Sequence, residues 1–243
     1  MISEEKDLIA RTGIGYAVAE ASIESNARVT ISSSSEDKVK SSIESLKKSY
    51  PSAEVSGHKC DLSKPTLEKD LEELFEKVGK LDHIVFTAGD KLAAFPISEI
   101  SLEKIHAAGQ VRFFAPLLVA KVGSRYLNPG PASSIVLTTG SVAQHPRPNW
   151  SVVASYASGL QGMTRNLALD LKPIRVNLVS PGAIETPLWS GMSEDAKQKM
   201  FKQIAAHVPT GHVGKREFLF LKHVYIMFAD RKQPRRLQSV ICG

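Results

Sequence analysis

The stretch SVVASYASGLQGMTRNLALDLKPIRVNLVSPG, Ser151 to Gly182, joins a long helical pattern to a short β-branched run that ends in a Pro-Gly turn. A helix of that length feeding a strand of about six residues is the repeating piece of a parallel α/β sheet. The same alternation extends outward in both directions. Short apolar runs occur at ARVTIS from Ala27, AEVSGHKC from Ala53, LDHIVFTAG from Leu81, SSIVLTTG from Ser133 and IRVNLVSPG from Ile174. Amphipathic stretches fill the intervals at 15–24, 36–48, 64–79, 101–126, 151–171 and 193–206. Crossovers long enough for helices predict a doubly wound α/β domain with a parallel sheet covered on both faces. Its ligand site is expected beyond the C-terminal ends of the strands.

The chain of 243 residues suits one such domain, and 42% hydrophobic residues supply a sizeable interior. The net charge of +6, from 31 basic and 25 acidic residues, is spread along the sequence and not gathered into a patch. That suits an anionic small ligand better than nucleic acid, because no basic and aromatic interleaving occurs. Two cysteines, Cys60 and Cys242, point to neither a disulfide framework nor a metal site. The expectation is a cytoplasmic protein in a reducing setting, without a signal peptide or membrane span. The two ends are unusual. Before Thr12 there is room only for a stub of a first strand, DLIA, and the basic tail FADRKQPRRLQSVICG reads either as a last edge strand or as poorly ordered chain.

Gly13 and Gly15 fall at the turn between that stub and the next helix, flanking Ile14. Small residues there let the backbone approach a pyrophosphate, and the helix N-terminus supplies free N–H groups; a tight packing turn is the plainer reading. After the second run come Ser32, Ser33, Ser34 and Ser35, with no Asp or Glu to grip a ribose 2′-hydroxyl. Hydroxyls in that place favour NADP over NAD. Arg11, Lys38 and Lys40 stand nearby as further candidates or as plain surface charges. Asp61 follows the third run, placed either to meet an adenine amino group or to cap the next helix. Thr87–Gly89 ends the fourth with small residues that permit close backbone approach to a ligand.

Taken in order, TGIG, CDLS, LDHIVFTAG, TTGSVA and MTRNLALDLKPIRVNLVSPGAIETPLW resemble the short-chain dehydrogenase/reductase family over residues 7–191, and the wording is similar to divergent members of fungal secondary-metabolite pathways. The resemblance implies a Rossmann-type sheet, NADPH and hydride transfer involving a carbonyl or alcohol. It places Gly13, Ile14 and Gly15 on the glycine turn, Asp61 and Leu62 at the adenine, and Ala88 and Gly89 beside the ribose. Pro181, Gly182, Ile184 and Thr186 fall on the loop that holds the carboxamide and pyrophosphate, and Asp82 on a structural aspartate. Residues 192–213 correspond to the substrate-loop region, and 214–243 form an atypical C-terminal segment. The family pairs subunits through helices matching 101–126 and 151–171, so a homodimer or homotetramer is implied. The sequence also departs from the pattern, with Ile9 and Ala10 where further glycines normally open the turn.

The family's chemistry uses a serine, a tyrosine, a lysine four residues later that lowers the tyrosine pKa, and an asparagine. Ser141 matches the serine to within one residue. Aligning through GMTRNLAL puts Val153 at the tyrosine position and Ala157 at the lysine position. Tyr156 is then a neighbour, about 4.5 Å along the helix axis and about 60° round from Val153. It reads either as a proton donor at the pocket rim or as a core or subunit-interface residue. Arg112 matches the asparagine, and a half-buried arginine there is costly unless it meets an anion, a carbonyl or developing negative charge. It is a clamp on substrate or cofactor, or a structural salt bridge. His145, Arg147, Asn149 and Trp150 lie on the loop at the expected pocket mouth.

Three functions follow from these residues. The first is an NADP-dependent oxidoreductase of a small molecule, with altered proton delivery. The second is a non-redox isomerase or cyclase on the same fold. The third is a truncated, inactive relative. Ile184, Leu188, Trp189 and Met192 on the loop after Gly182 indicate a fairly apolar substrate.

Overall fold

The structure, a computed structural model, describes residues 6–7, 13–186, 189, 191–208, 210–215 and 238–242. Each expected strand is present: β2 Arg28–Ser33, β3 Val55–Lys59, β4 His83–Phe86, β5 Ser134–Thr138 and β6 Arg175–Val179. The helices between them are α1 Ile14–Glu24, α2 Glu36–Ser49, α3 Leu67–Val78, α4 Leu102–Gly109, α5 Ala115–Gly123 and α6 Ser151–Asp170, followed by α7 Glu194–His207. The stretch expected as one helix over 101–126 is interrupted. Gln110–Phe114 forms a π-helical turn between α4 and α5. Such bulges insert one residue into the helical ladder and occur often at functional sites.

The sequence explains the helix boundaries. Ser35 caps α2, its hydroxyl accepting from the Lys38 amide, with Glu36 and Asp37 in the first turn and Lys47 and Lys48 in the last. This polarity matches the helix dipole at both ends. Leu67, Leu71, Leu74, Phe75 and Val78 form the buried stripe of α3 at helical spacing. Phe75 stacks on Tyr126 with ring centroids 5.7 Å apart, fixing α3 against the segment after α5.

The sheet is parallel throughout, in the order β1-β2-β9-β4-β5-β6, with β3 pairing the other edge of β2. Two outcomes differ from the expected termini. β1 is only Lys6–Asp7, beside Arg28 and Val29, and the rest of the stub lies outside the described residues. The tail forms β9, Gln238–Cys242, and it is not an edge strand. It lies between β2 and β4, in register with His83 through Phe86. An apolar run at the end of a sequence signals a strand without signalling its neighbours, which explains the difference. β7 Ile184–Glu185 and β8 Gly214–Lys215 form a separate two-stranded pair beyond the sheet.

The core is continuous along the sheet. Ile31, Ile84, Val85, Ile135, Val136 and Leu137 are fully buried, as a strand covered on both faces requires. His83 is also buried, its Nδ1 2.8 Å from the Ser134 hydroxyl. Asp82, matched to a structural aspartate, accepts through its carboxylate from the Asn128 side-chain amide at 2.9 Å, and its backbone carbonyl accepts from Ser134 N at 3.0 Å.

His58 on β3 has its pKa lowered, first by burial and then by Lys77. A histidine that resists protonation when folded takes up more protons when unfolded, so stability rises with pH across the interval below its ordinary value of about 6.5. Urea unfolding midpoints should therefore climb as pH is raised through that interval, and His58→Asn should flatten the climb. An unchanged slope in the variant would show that His58 does not carry it.

Candidate active site

The C-terminal ends of β2, β3, β4, β5 and β6 carry the sequence-expected site residues along one edge of the sheet. α1 begins there. Gly13 precedes it with φ of 81°, which favours glycine, and a side chain at this position would meet Thr186 at 3.6 Å. The glycine turn and the loop after β6 are thus in contact. No side chain caps α1 and no acidic residue stands in its first turn, so its leading amides suit an anion. Ser33 is buried at the end of β2, and Ser34 is exposed, with the Lys38 ammonium 3.5 Å from its hydroxyl. The Ser33 and Ser34 hydroxyls and the Lys38 ammonium fit a phosphate by their donors, with Glu36 and Asp37 in the adjoining first turn of α2.

Asp61 is engaged within its own turn. Its Oδ1 accepts from Ser63 N at 3.1 Å and from the Ser63 hydroxyl at 2.7 Å, and the latter contact chiefly lowers its pKa. It does not cap α3, whose N-cap residue is Thr66. Leu62 is tied to the π-helical turn, its carbonyl accepting from Gln110 Nε2 at 3.2 Å. The turn therefore links the expected adenine end to the chemical end.

The same turn delivers Arg112. Its guanidinium lies against Gly89, where a Cβ would come within 3.0 Å of both terminal nitrogens. A side chain at this position would require the guanidinium to give way by a few tenths of an ångström. Arg112 Nε is 2.9 Å from Asp90 Oδ1, and Arg112 Nη2 donates to the Asp90 carbonyl oxygen. Burial lowers the arginine pKa, and Asp90 acts in the opposite direction. Sequence reasoning missed Asp90. Its only signal was a carboxylate immediately after the Thr87–Gly89 strand end, which reads as ordinary loop chemistry.

Ser141 opens a 3-10 turn just past β5, half-buried, and its amide donates to the Pro181 carbonyl at 2.8 Å. Val153 and Ala157 are buried with Val142, and Leu92, Ala93, Ala143, Trp150 and Ala154 pack on them. The α6 face is therefore apolar at Val153 and Ala157, while Ser158 donates its hydroxyl to the Ala143 carbonyl of the serine turn at 3.3 Å. His145 is exposed, Asn149 adopts φ of 66°, and Arg147 lies 5.3 Å from the Trp150 ring centroid. These residues belong to the loop wall, and the Asn149 carbonyl accepts from Phe95 N at 3.0 Å.

Tyr156 is placed differently from a rim donor. Its hydroxyl donates to the Ile105 carbonyl at 3.0 Å, its ring packs on Phe113 and Phe114, and Gly109 lies directly beneath it. Burial raises its pKa. It acts as a strut between α6 and the π-helical turn. On the segment after β6, Trp189 Nε1 donates to the Ile184 carbonyl at 2.8 Å and its ring meets Phe201 of α7 edge-on. Met192 is 37% exposed, which keeps it available to an apolar ligand, and Leu188 lies outside the described residues.

The profile of the SDR-like Rossmann domain matches residues 7–233. The chain belongs to the short-chain dehydrogenase/reductase family. It is 44% identical over 224 residues to the short-chain dehydrogenase/reductase fsr5 of Gibberella fujikuroi, covering 89% of this chain and 84% of that protein. It is 37% identical over 223 residues to malC of Malbranchea aurantiaca, with the same coverage of each. The solved structure of the MalC Reductase/Diels-Alderase superposes with a TM-score of 0.88 at 34% identity, over 100% of this chain and 95% of that one. The resemblance to fungal members of the family is thereby matched, and the fold agrees.

Replacing Tyr156 by Phe removes the hydrogen bond to Ile105 while keeping the ring packing. A loss of about 1 kcal/mol is expected in urea denaturation. An unperturbed midpoint would remove the strut assignment.

Proposed function

We propose that this chain is an NADP(H)-dependent reductase of a fairly apolar carbonyl or imine in fungal secondary metabolism, working without the family's tyrosine and lysine. The observation that carries this reading is the Arg112 guanidinium, held by Asp90 over the Gly89 backbone at the end of β4. NADPH, when bound, supplies the hydride. The glycine turn and α1 amides would hold its pyrophosphate, and Ser33 and Ser34 with Lys38 would receive the 2′-phosphate. Ala88, Gly89, Pro181, Gly182, Ile184 and Thr186 surround the rest.

Arg112 and the Ser141 hydroxyl then orient the acceptor oxygen or nitrogen and stabilise charge that develops there. With Val153 and Ala157 at the positions of the tyrosine and lysine, no side chain of α6 relays a proton. A ketone must take its proton from water, whereas an iminium needs none once the hydride has arrived. The Asp90 carboxylate offsets the arginine charge, so a cationic acceptor is tolerated near it. Exposed Leu117 on α5 and Leu169 on α6 agree with subunit pairing through these helices. Among the described residues no helix is long and apolar enough to cross a membrane.

A second reading, cyclisation without redox change, is favoured by the structural likeness to a protein described as both reductase and Diels-Alderase. Here the pocket supplies shape and Arg112 polarises a carbonyl. Following nicotinamide absorbance together with product formation separates the two readings, because only reduction consumes NADPH in step with product.

The test begins with fluorescence titration by NADPH and NADH, in which NADPH should bind more tightly. A panel of ketones and imines then follows. Arg112→Ala and Ser141→Ala should each lower kcat/KM by 10-fold or more, about 1.4 kcal/mol or above. Tyr156→Phe should lower it less. An equal or larger loss from Tyr156→Phe would restore that residue to the chemistry, and absence of any NADPH binding would sink the reductase reading.

Asp90→Asn preserves shape and removes the charge beside Arg112. Activity should fall mainly through kcat, with KM for a cationic imine rising more than KM for a neutral ketone. Equal changes for both substrates would show that Asp90 does not tune the arginine.

A further inference from the structure

In the doubly wound order 3-2-1-4-5-6, the position between the second and fourth strands belongs to the first strand, which runs into the glycine turn. In this chain β9 holds that position along β4. Four consecutive pairs, His83 with Ser239, Ile84 with Val240, Val85 with Ile241 and Phe86 with Cys242, run the whole length of β4. Among the described residues β1 pairs with Arg28 and Val29 of β2, and Arg28 is the register partner of both Lys6 and Gln238. Because the pairing is parallel, Cys242 is level with Phe86, immediately before the segment Thr87–Gly89, against whose Gly89 the Arg112 guanidinium lies. α1, which begins at the glycine turn, packs on β9.

We infer that the C-terminal strand Gln238–Cys242 is a working part of the dinucleotide site, supplying the sheet surface under α1 and its glycine turn, so that nucleotide binding and docking of this strand are linked. The linkage half rests on the cofactor site proposed above. The physical ground for docking is the state of β4, whose residues are at most 2% exposed. With β9 removed, the β4 backbone groups facing it lose their partners inside a buried sheet, which is costly. A ligand that binds only the docked state stabilises docking by mass action, and docking in turn raises affinity for the ligand.

Hydrogen exchange of the full chain, resolved by peptide or by NMR, tests this directly. Amides of Ser239–Cys242 should be protected together with those of Ile84–Phe86. NADPH at about 100 times its Kd should slow their exchange further, by up to about 100-fold where opening of the strand governs it. Val240→Pro removes a ladder donor from the middle of the strand. It should raise the Kd for NADPH at least 10-fold and strip protection from β4, whereas Val240→Ala, which keeps the backbone donor, should preserve both.

Unprotected amides at 239–242 in the wild-type chain, with β4 protected, would overturn the docking whether or not the proline variant folds. Protected amides whose exchange is unchanged by saturating NADPH would overturn the linkage alone. Protected amides in a protein that binds no NADPH would overturn the cofactor assignment and the linkage with it.

Discussion

The backbone ladder of β4 is the constraint on which the rest depends. His83 to Phe86 are buried on both faces, so every peptide group there must find its partner along the strand edges. β5 satisfies one edge and β9 the other. Once both are in place, the end of β4 is fixed in height and direction, and with it Ala88, Gly89 and Asp90. The site is assembled from what the ladder holds still.

Arg112 follows from that anchoring. A guanidinium taken partly out of water is expensive unless charge and hydrogen bonds replace the lost hydration. Asp90 provides both, through its carboxylate and its own carbonyl. Gly89 provides the space, and the π-helical turn aims the side chain across it. Tyr156 braces the turn from the opposite helix through Ile105, Phe113 and Phe114. The tyrosine therefore holds Arg112's own segment in place, with its hydroxyl engaged on backbone.

The interior strands were legible from sequence because residues buried on both faces of a parallel sheet read as unbroken apolar runs; IVF and SIVLT are of this kind. Arg112 was legible as a residue needing a partner, but the partner was not. Asp90 lies 22 positions away, and only the fold brings the end of β4 to the turn after α4. The placement of SVIC was hidden for the same reason. Local sequence fixes that such a run is extended, while the choice between edge and centre depends on which buried strand lacks a neighbour. The break between α4 and α5 was also invisible, since the apolar pattern continues through Gln110–Phe114 almost undisturbed.

The apolar α6 face shapes what chemistry remains. A tyrosine titrating near pH 10 becomes a useful donor at neutral pH only beside a cation, and Ala157 offers none. Val153 and Ala157 instead lie buried with Val142, and Leu92 and Ala93 pack on them. Under the function proposed above, burial beside this face strengthens the Arg112 field on a developing oxyanion, which favours a carbonyl and opposes a cationic iminium. Slow arrival of a proton from solvent acts the other way, favouring an acceptor that needs none, so in that proposal the Asp90 carboxylate beside Arg112 sets the balance between the two.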